Sequence, residues 1–132
     1  MGTSMAKPAI DPGIVTSDAE PMIEFYTSVF GLKRLDPLVL PGIGTIHKLA
    51  AGESILRIMV PEQKPGPDGA EKWSSREGIR YLTFEVVSVH AAVESVVQYG
   101  GTVALAPIEL RPGRMVSQAH DPDGNMLEIG QG

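Results

Sequence analysis

From Ser54 to Val60 the chain alternates, with Leu56, Ile58 and Val60 on one side and Ile55, Arg57 and Met59 on the other. A period of two predicts a strand with one apolar face and one mixed face. The same pattern recurs twice. Leu82, Phe84 and Val86 oppose Tyr81, Thr83 and Glu85, and Leu127 and Ile129 oppose Met126 and Glu128. A helical period replaces it in "AEPMIEFYTSVFG", where Ile23, Tyr26, Val29 and Phe30 share a stripe. Asp18 is placed as N-cap, Pro21 falls in the first turn and Gly31 stands where a left-handed C-terminal residue belongs. A second helix is predicted over "VHAAVESVVQYGG", capped by Ser88. Further strands are predicted at "IDPGIVTS" (10–17), "TIHKLA", "TVALAP" and "MVSQAH". The short "AGE" between "TIHKLA" and "SILRIMV" signals a hairpin. "LRPGR" (110–114) and "DPDG" (121–124) read as turns, with Pro122 preset for the second turn position and Gly124 supplying a positive φ.

These elements come in two sets. An offset of 70 residues carries Asp11 onto Tyr81 and Gly31 onto Gly101, and one of 71 carries Arg57 onto Glu128. Each half reads strand, helix, strands, roughly βαβββ. One such unit is too small to bury its own sheet, so the two are expected to pair. The expected organisation is a single domain over 1–132, with modules 10–60 and 79–131 joined by a Pro-, Gly- and charge-rich linker at 61–78.

Composition narrows the function. With 42% hydrophobic residues in 132, the chain carries enough apolar surface for a core. A net charge of −5 argues against nucleic acid as partner, since neutralising phosphates needs a basic face. There is no cysteine, hence no disulfide, thiol nucleophile or thiolate zinc site. No apolar run approaches the ~20 residues of a membrane span. The N-terminus lacks an apolar signal segment, so a cytoplasmic location is expected.

The stretches "GIVTSDAEPMIEFYTSVFGL", "VVQYGGTV" and "DPDGNMLEI" together resemble the vicinal oxygen chelate superfamily, which holds glyoxalase I, bleomycin-resistance proteins and extradiol dioxygenases. The resemblance runs from residue 10 to 130. It implies an α+β fold, two βαβββ modules forming a curved mixed sheet around a cavity, and a homodimer. In metal-using relatives four strand positions supply ligands, and these fall here on Asp11, Arg57, Tyr81 and Glu128. Only Glu128 is a usual ligand type. Arg57 keeps its proton and cannot ligate, and Tyr81 is a poor ligand at neutral pH. The His, His, carboxylate set of an iron dioxygenase is missing.

The candidate site is therefore drawn from the mixed strand faces. Glu128 needs a partner if buried, and Arg57, its counterpart in the repeat, suits one by its bidentate geometry. Three arrangements stay open: an ordinary Arg57–Glu128 ion pair, an arginine that holds an anionic or carbonyl group of a small-molecule ligand, or a metal on Asp11, Glu128 and a histidine. The expected ligand-binding residues are Arg57, Tyr81, Asp11, Met59 and Thr83. His47 is a candidate general base beside Glu128, though counting does not fix its face. His120 is expected at the rim and His90 in solvent. Arg111 and Arg114 either rim the pocket or point to water. Trp73 either folds over the pocket or docks at a subunit interface.

Two functions follow. One is metal-independent ligand binding of the bleomycin-resistance kind, with no cofactor and a divalent metal as the lesser alternative. The other is a glyoxalase-like lyase, isomerase or epimerase working beside a carbonyl through Glu128 and His47. A module with a vestigial cavity is the plainest third reading. Neither nucleic acid nor membrane is expected as partner.

Overall fold

The computed structural model describes residues 2–66 and 73–132. Residues 67–72 of the expected linker lie outside them. In chain order the elements are β1 (Gly13–Val15), α1 (Ala19–Phe30), β2 (Lys33–Arg34), β3 (Leu38–Leu40), β4 (Gly44–Ala51) and β5 (Ser54–Pro61), followed by β6 (Tyr81–Glu85), α2 (Val89–Gln98), β7 (Thr102–Arg111), β8 (Arg114–His120) and β9 (Met126–Gln131).

Two mixed sheets result. The first runs β1-β5-β4-β2, with β3 also paired to β4, and the second runs β6-β9-β8-β7. In each sheet the strand before the helix pairs parallel with the last strand, and the remaining pairs are antiparallel. The equivalence of the halves reappears in the register. Gly13 lies opposite Arg57, and Thr83 lies opposite Glu128.

Helix α1 forms where predicted. The Asp18 side chain accepts from the Glu20 amide, and Gly31 closes the helix at φ 70, a conformation that costs glycine nothing. Its inner stripe of Met22, Ile23, Phe25 and Tyr26 is buried. Ser88 caps α2 by accepting from the Ala91 amide, and Val89, Ala92 and Val96 face inward. One core joins these stripes to Leu49, Leu56 and Ile58 of the first sheet and Ala119, Leu127 and Ile129 of the second. Complete burial of side chains such as Leu127 or Met22 contributes roughly 2 kcal/mol each.

The halves interlock at the helices. Phe30 stacks on Phe84 with ring centroids 4.0 Å apart, and the Tyr26 hydroxyl donates to the Asp121 carboxylate at 2.6 Å. Asp121 is the first residue of the "DPDG" turn and also accepts from the Asp123 and Asn125 amides and the Asn125 side chain.

Four strands depart from expectation. β1 covers only three of the eight residues from 10 to 17: the Pro12 carbonyl still takes the Arg57 amide, but at Asp11 the side-chain carboxylate, in place of the backbone, takes the Ile55 amide. β7 continues past Pro107 to Arg111, with register shifts on either side of that proline. It is an edge strand, where a missing N–H is tolerated. The short strands β2 and β3 are additions. No helix among the described residues is long and apolar enough to cross a membrane.

Candidate functional site

Each sheet turns one face to the helices and leaves the other open. In the first sheet Leu49, Leu56 and Ile58 fill the helix face, so the alternate positions Lys48, Arg57 and Met59 occupy the open face. In the second, Leu82, Phe84, Leu127 and Ile129 face the helices, and Tyr81, Thr83, Glu85, Met126 and Glu128 face out. Register places Gln118 beside Glu128 and His120 beside Met126 on that same face.

Arg57 is half-buried and stands directly across from Lys48. It makes no ion pair with the described residues. Asp11 is near enough to feel its charge, but the Asp11 carboxylate is taken by Lys7 at 2.8 Å and by the Ile55 amide at 2.8 Å. The Lys7 hydrogen bond, aided by that amide, holds Asp11 below the ordinary carboxylate value. Two adjacent cations, Lys48 and Arg57, therefore mark the first half of the site.

The second half carries the opposite sign. Glu128 receives one long hydrogen bond, 3.4 Å from the Thr83 hydroxyl, and no ion pair from the described residues. Arg114 lies close enough for the Glu128 charge to act on it, but its guanidinium is clasped by Glu85 through two bonds of 2.8 and 2.7 Å. That clasp lies across Gly130. A Cβ there would collide with the Arg114 guanidinium and come within 2.6 Å of a Glu85 carboxylate oxygen, so the clasp in this form needs glycine beneath it. The Arg114 hydrogen bond draws Glu85 below its ordinary value.

Glu128 lines a slot of about 60 Å³ together with Trp73, Tyr81, Gln118 and Met126. The Trp73 and Tyr81 rings meet edge to face, centroids 5.3 Å apart at 79°. Tyr81 and Met126 also border a groove of about 220 Å³ that continues past Asn125 and Arg80 to Pro12 and to Gly13 and Ile14 of β1. The groove thus reaches from the slot to the strand that carries Arg57's register partner.

Four expected contacts take another form. His47 pairs with Ile58 across β4 and β5, and therefore shares the helix face, opposite to Arg57. Its Nδ1 is buried there without a hydrogen-bond partner among the described residues, on the face away from the open side that carries the candidate ligand residues. Arg57 and Glu128 are not partners: they stand on different sheets, and the Glu128 charge acts on Arg114. Asp11 belongs to Lys7. Arg114 is neither free at the rim nor solvated but paired with Glu85. His120 meets Thr102 at 3.2 Å near one edge, and His90 is exposed. Gln118 escaped the sequence reading, although the alternation of "MVSQAH" puts it on the open face once the register with Glu128 is known.

Residues 9–129 match the family described as the Glyoxalase/Bleomycin resistance protein/Dioxygenase superfamily. The chain belongs to this superfamily. A glyoxalase family protein from Bacillus cereus superposes with a TM-score of 0.80 at 14% identity, covering 97% of this chain and 98% of its own. Glyoxalase I from Zea mays gives 0.74 at 23% identity, over 92% of this chain but 43% of that longer one. A glyoxalase/bleomycin resistance protein/dioxygenase family enzyme from Burkholderia phytofirmans gives 0.67 at 23%, over 92% and 95%. At these identities the likeness is one of fold. Among proteins of curated function none matches the chain significantly.

The superfamily's metal positions do not fit a metal ion in this chain. Asp11 is occupied by Lys7, Arg57 is a permanent cation, Tyr81 packs on Trp73, and Glu128 alone remains a usable donor. Among the described residues no three of His, Asp or Glu converge.

Proposed function

We propose that this superfamily member is a metal-independent small-molecule binding protein of the bleomycin-resistance kind. The observation that carries the reading is the substitution of sign between equivalent positions. Arg57 lies opposite Gly13 in one sheet as Glu128 lies opposite Thr83 in the other. Arg57, reinforced by Lys48, repels a metal cation and suits a carboxylate, phosphate or polarised carbonyl of the ligand. Met59 on the same face and Tyr81 at the groove supply apolar contact, Thr83 steadies Glu128, and Asp11 anchors the Lys7 segment beside the site. A homodimer is part of the proposal, because both sheets leave their chemically loaded faces open in one chain.

Two measurements test it. Untagged protein, purified without chelators and offered nickel, zinc, manganese and iron(II), should retain none stoichiometrically. A panel of small carboxylates and oxo acids should then bind, with Arg57→Gln weakening the best by on the order of tenfold. One tightly held metal per chain sinks the proposal, as does a panel in which Arg57→Gln changes nothing. One observation favours a second reading, a lyase or isomerase: Glu128 has no ion-pair partner among the described residues and so can serve as a proton acceptor. In that case proton exchange next to a carbonyl in a bound oxo acid would depend on Glu128 and not on His47.

A further inference from the structure

We infer that the slot bounded by Trp73, Tyr81, Met126, Gln118 and Glu128 is a receptor for an organic cation, of the methylated or primary ammonium class. Two aromatic rings set at 79° form an inside corner, so a cation lodged there lies beside both π systems. Met126 forms a polarisable floor and, although on the open face, is only 7% exposed. Glu128 adds a carboxylate to the lining and makes no ion pair with the described residues, Arg114 being clasped by Glu85. Gln118, the register partner of Glu128, lines the slot beside it. The room available, about 60 Å³, matches a small head group and not a flat ring system. A carboxylate alone would attract any cation. The aromatic walls select one that sheds its water easily, as alkylammonium groups do and sodium or magnesium do not.

The inference is independent of the ligand assigned to Arg57, and its probe keeps the two apart. Choline carries a quaternary ammonium and no anionic or carbonyl group. Its neutral counterpart 3,3-dimethyl-1-butanol has the same shape without the charge. Trp73 is the only tryptophan of the chain, so its fluorescence and its indole N–H resonance report on the slot directly. Choline should perturb both at millimolar concentration, and the neutral alcohol should need about tenfold more. Glu128→Gln should weaken choline about tenfold and leave the alcohol unchanged. Equal affinities for the two probes, an unaltered choline affinity in Glu128→Gln, or a Trp73 signal that ignores choline each overturn the inference. Should Glu128→Gln fail to fold, the comparison of choline with the alcohol on the natural chain decides alone. Carboxylate binding that depends on Arg57 can succeed or fail without moving this result.

Discussion

Tyr26 and Asp121 stand 95 positions apart in the chain and 2.6 Å apart in space, joining the first helix to the turn that starts the last strand. Burial raises Asp121 above the ordinary carboxylate value, while its four donors, Tyr26 first among them, pull the other way. Burial, with the charge of Asp121, raises Tyr26 far above its usual range, so the phenol stays a donor at any pH of interest.

Tyr26→Phe removes one donor from a buried carboxylate and should cost about 1–2 kcal/mol at neutral pH. The loss should shrink in acid. Without the tyrosine, the folded-state value of Asp121 rises further above the unfolded 3.8, and a raised acid contributes stability that is lost as pH climbs through its folded value. Urea unfolding from pH 3 to 7 checks this, and a penalty that grows toward acid would contradict it.

Replacing His47 should do the reverse of what a catalytic base would show. Its Nδ1 is buried and unpaired on the helix face, so His47→Leu exchanges an unsatisfied polar atom for an apolar one. The variant should be as stable as the natural chain or more so, by up to about 1 kcal/mol. Ligand affinity should not change. Thermal unfolding and a binding isotherm measure the two.

Gly130→Ala should open the Glu85–Arg114 clasp, because the atoms nearest the new methyl group are the mobile ends of both side chains. Glu85, lowered in the natural chain, should return toward its ordinary 4.5. A lowered carboxylate lends stability above its unfolded value that disappears as pH falls through its folded one. The natural chain should therefore lose stability over that acid interval more steeply than the variant. Carboxyl carbon NMR titration of Glu85 reads the first effect and acid unfolding the second. Gly101→Ala is harsher. There the methyl meets the His120 carbonyl, Phe25 and Val96, which cannot give way, and a loss of about 1–3 kcal/mol is expected.

Arg57→Gln should leave stability close to unchanged, since Asp11 retains Lys7 and the Ile55 amide as partners. The effect should fall on anionic ligands alone, on the order of tenfold in affinity by calorimetry. A large loss of stability with intact binding would make Arg57 a structural residue.

The helices and strand faces were legible because short-range rules govern them. Asp18, the stripe of α1 and Gly31 report one helix from start to stop, and the alternation around Arg57, Tyr81 and Glu128 assigns their faces directly. His47 was not legible. Its neighbours Ile46 and Lys48 differ little in informativeness, and only pairing with Ile58 settles which way it points. The partner of Glu128 was misread for a similar reason. A repeat reveals which positions are equivalent, yet equivalence by a pseudo-two-fold does not bring two side chains together. β3 was hidden by its length, three residues after Pro37, too few for a period to show. Asp11 looked like a strand residue of the site, but the i,i+4 spacing to Lys7 prevailed.

The strands β1 and β6 are the outermost members of their sheets, and no backbone ladder among the described residues joins one to the other. What binds the halves is side chains: the shared apolar core, a stacked pair of phenyl rings and a phenol on a carboxylate. Register in one half is thus set without reference to the other. Mutation can then rewrite the open face of either sheet while its twin stays fixed, and after a duplication the two copies need not keep the same chemistry. An arginine in one and a glutamate at the matching place in the other are a difference this independence permits.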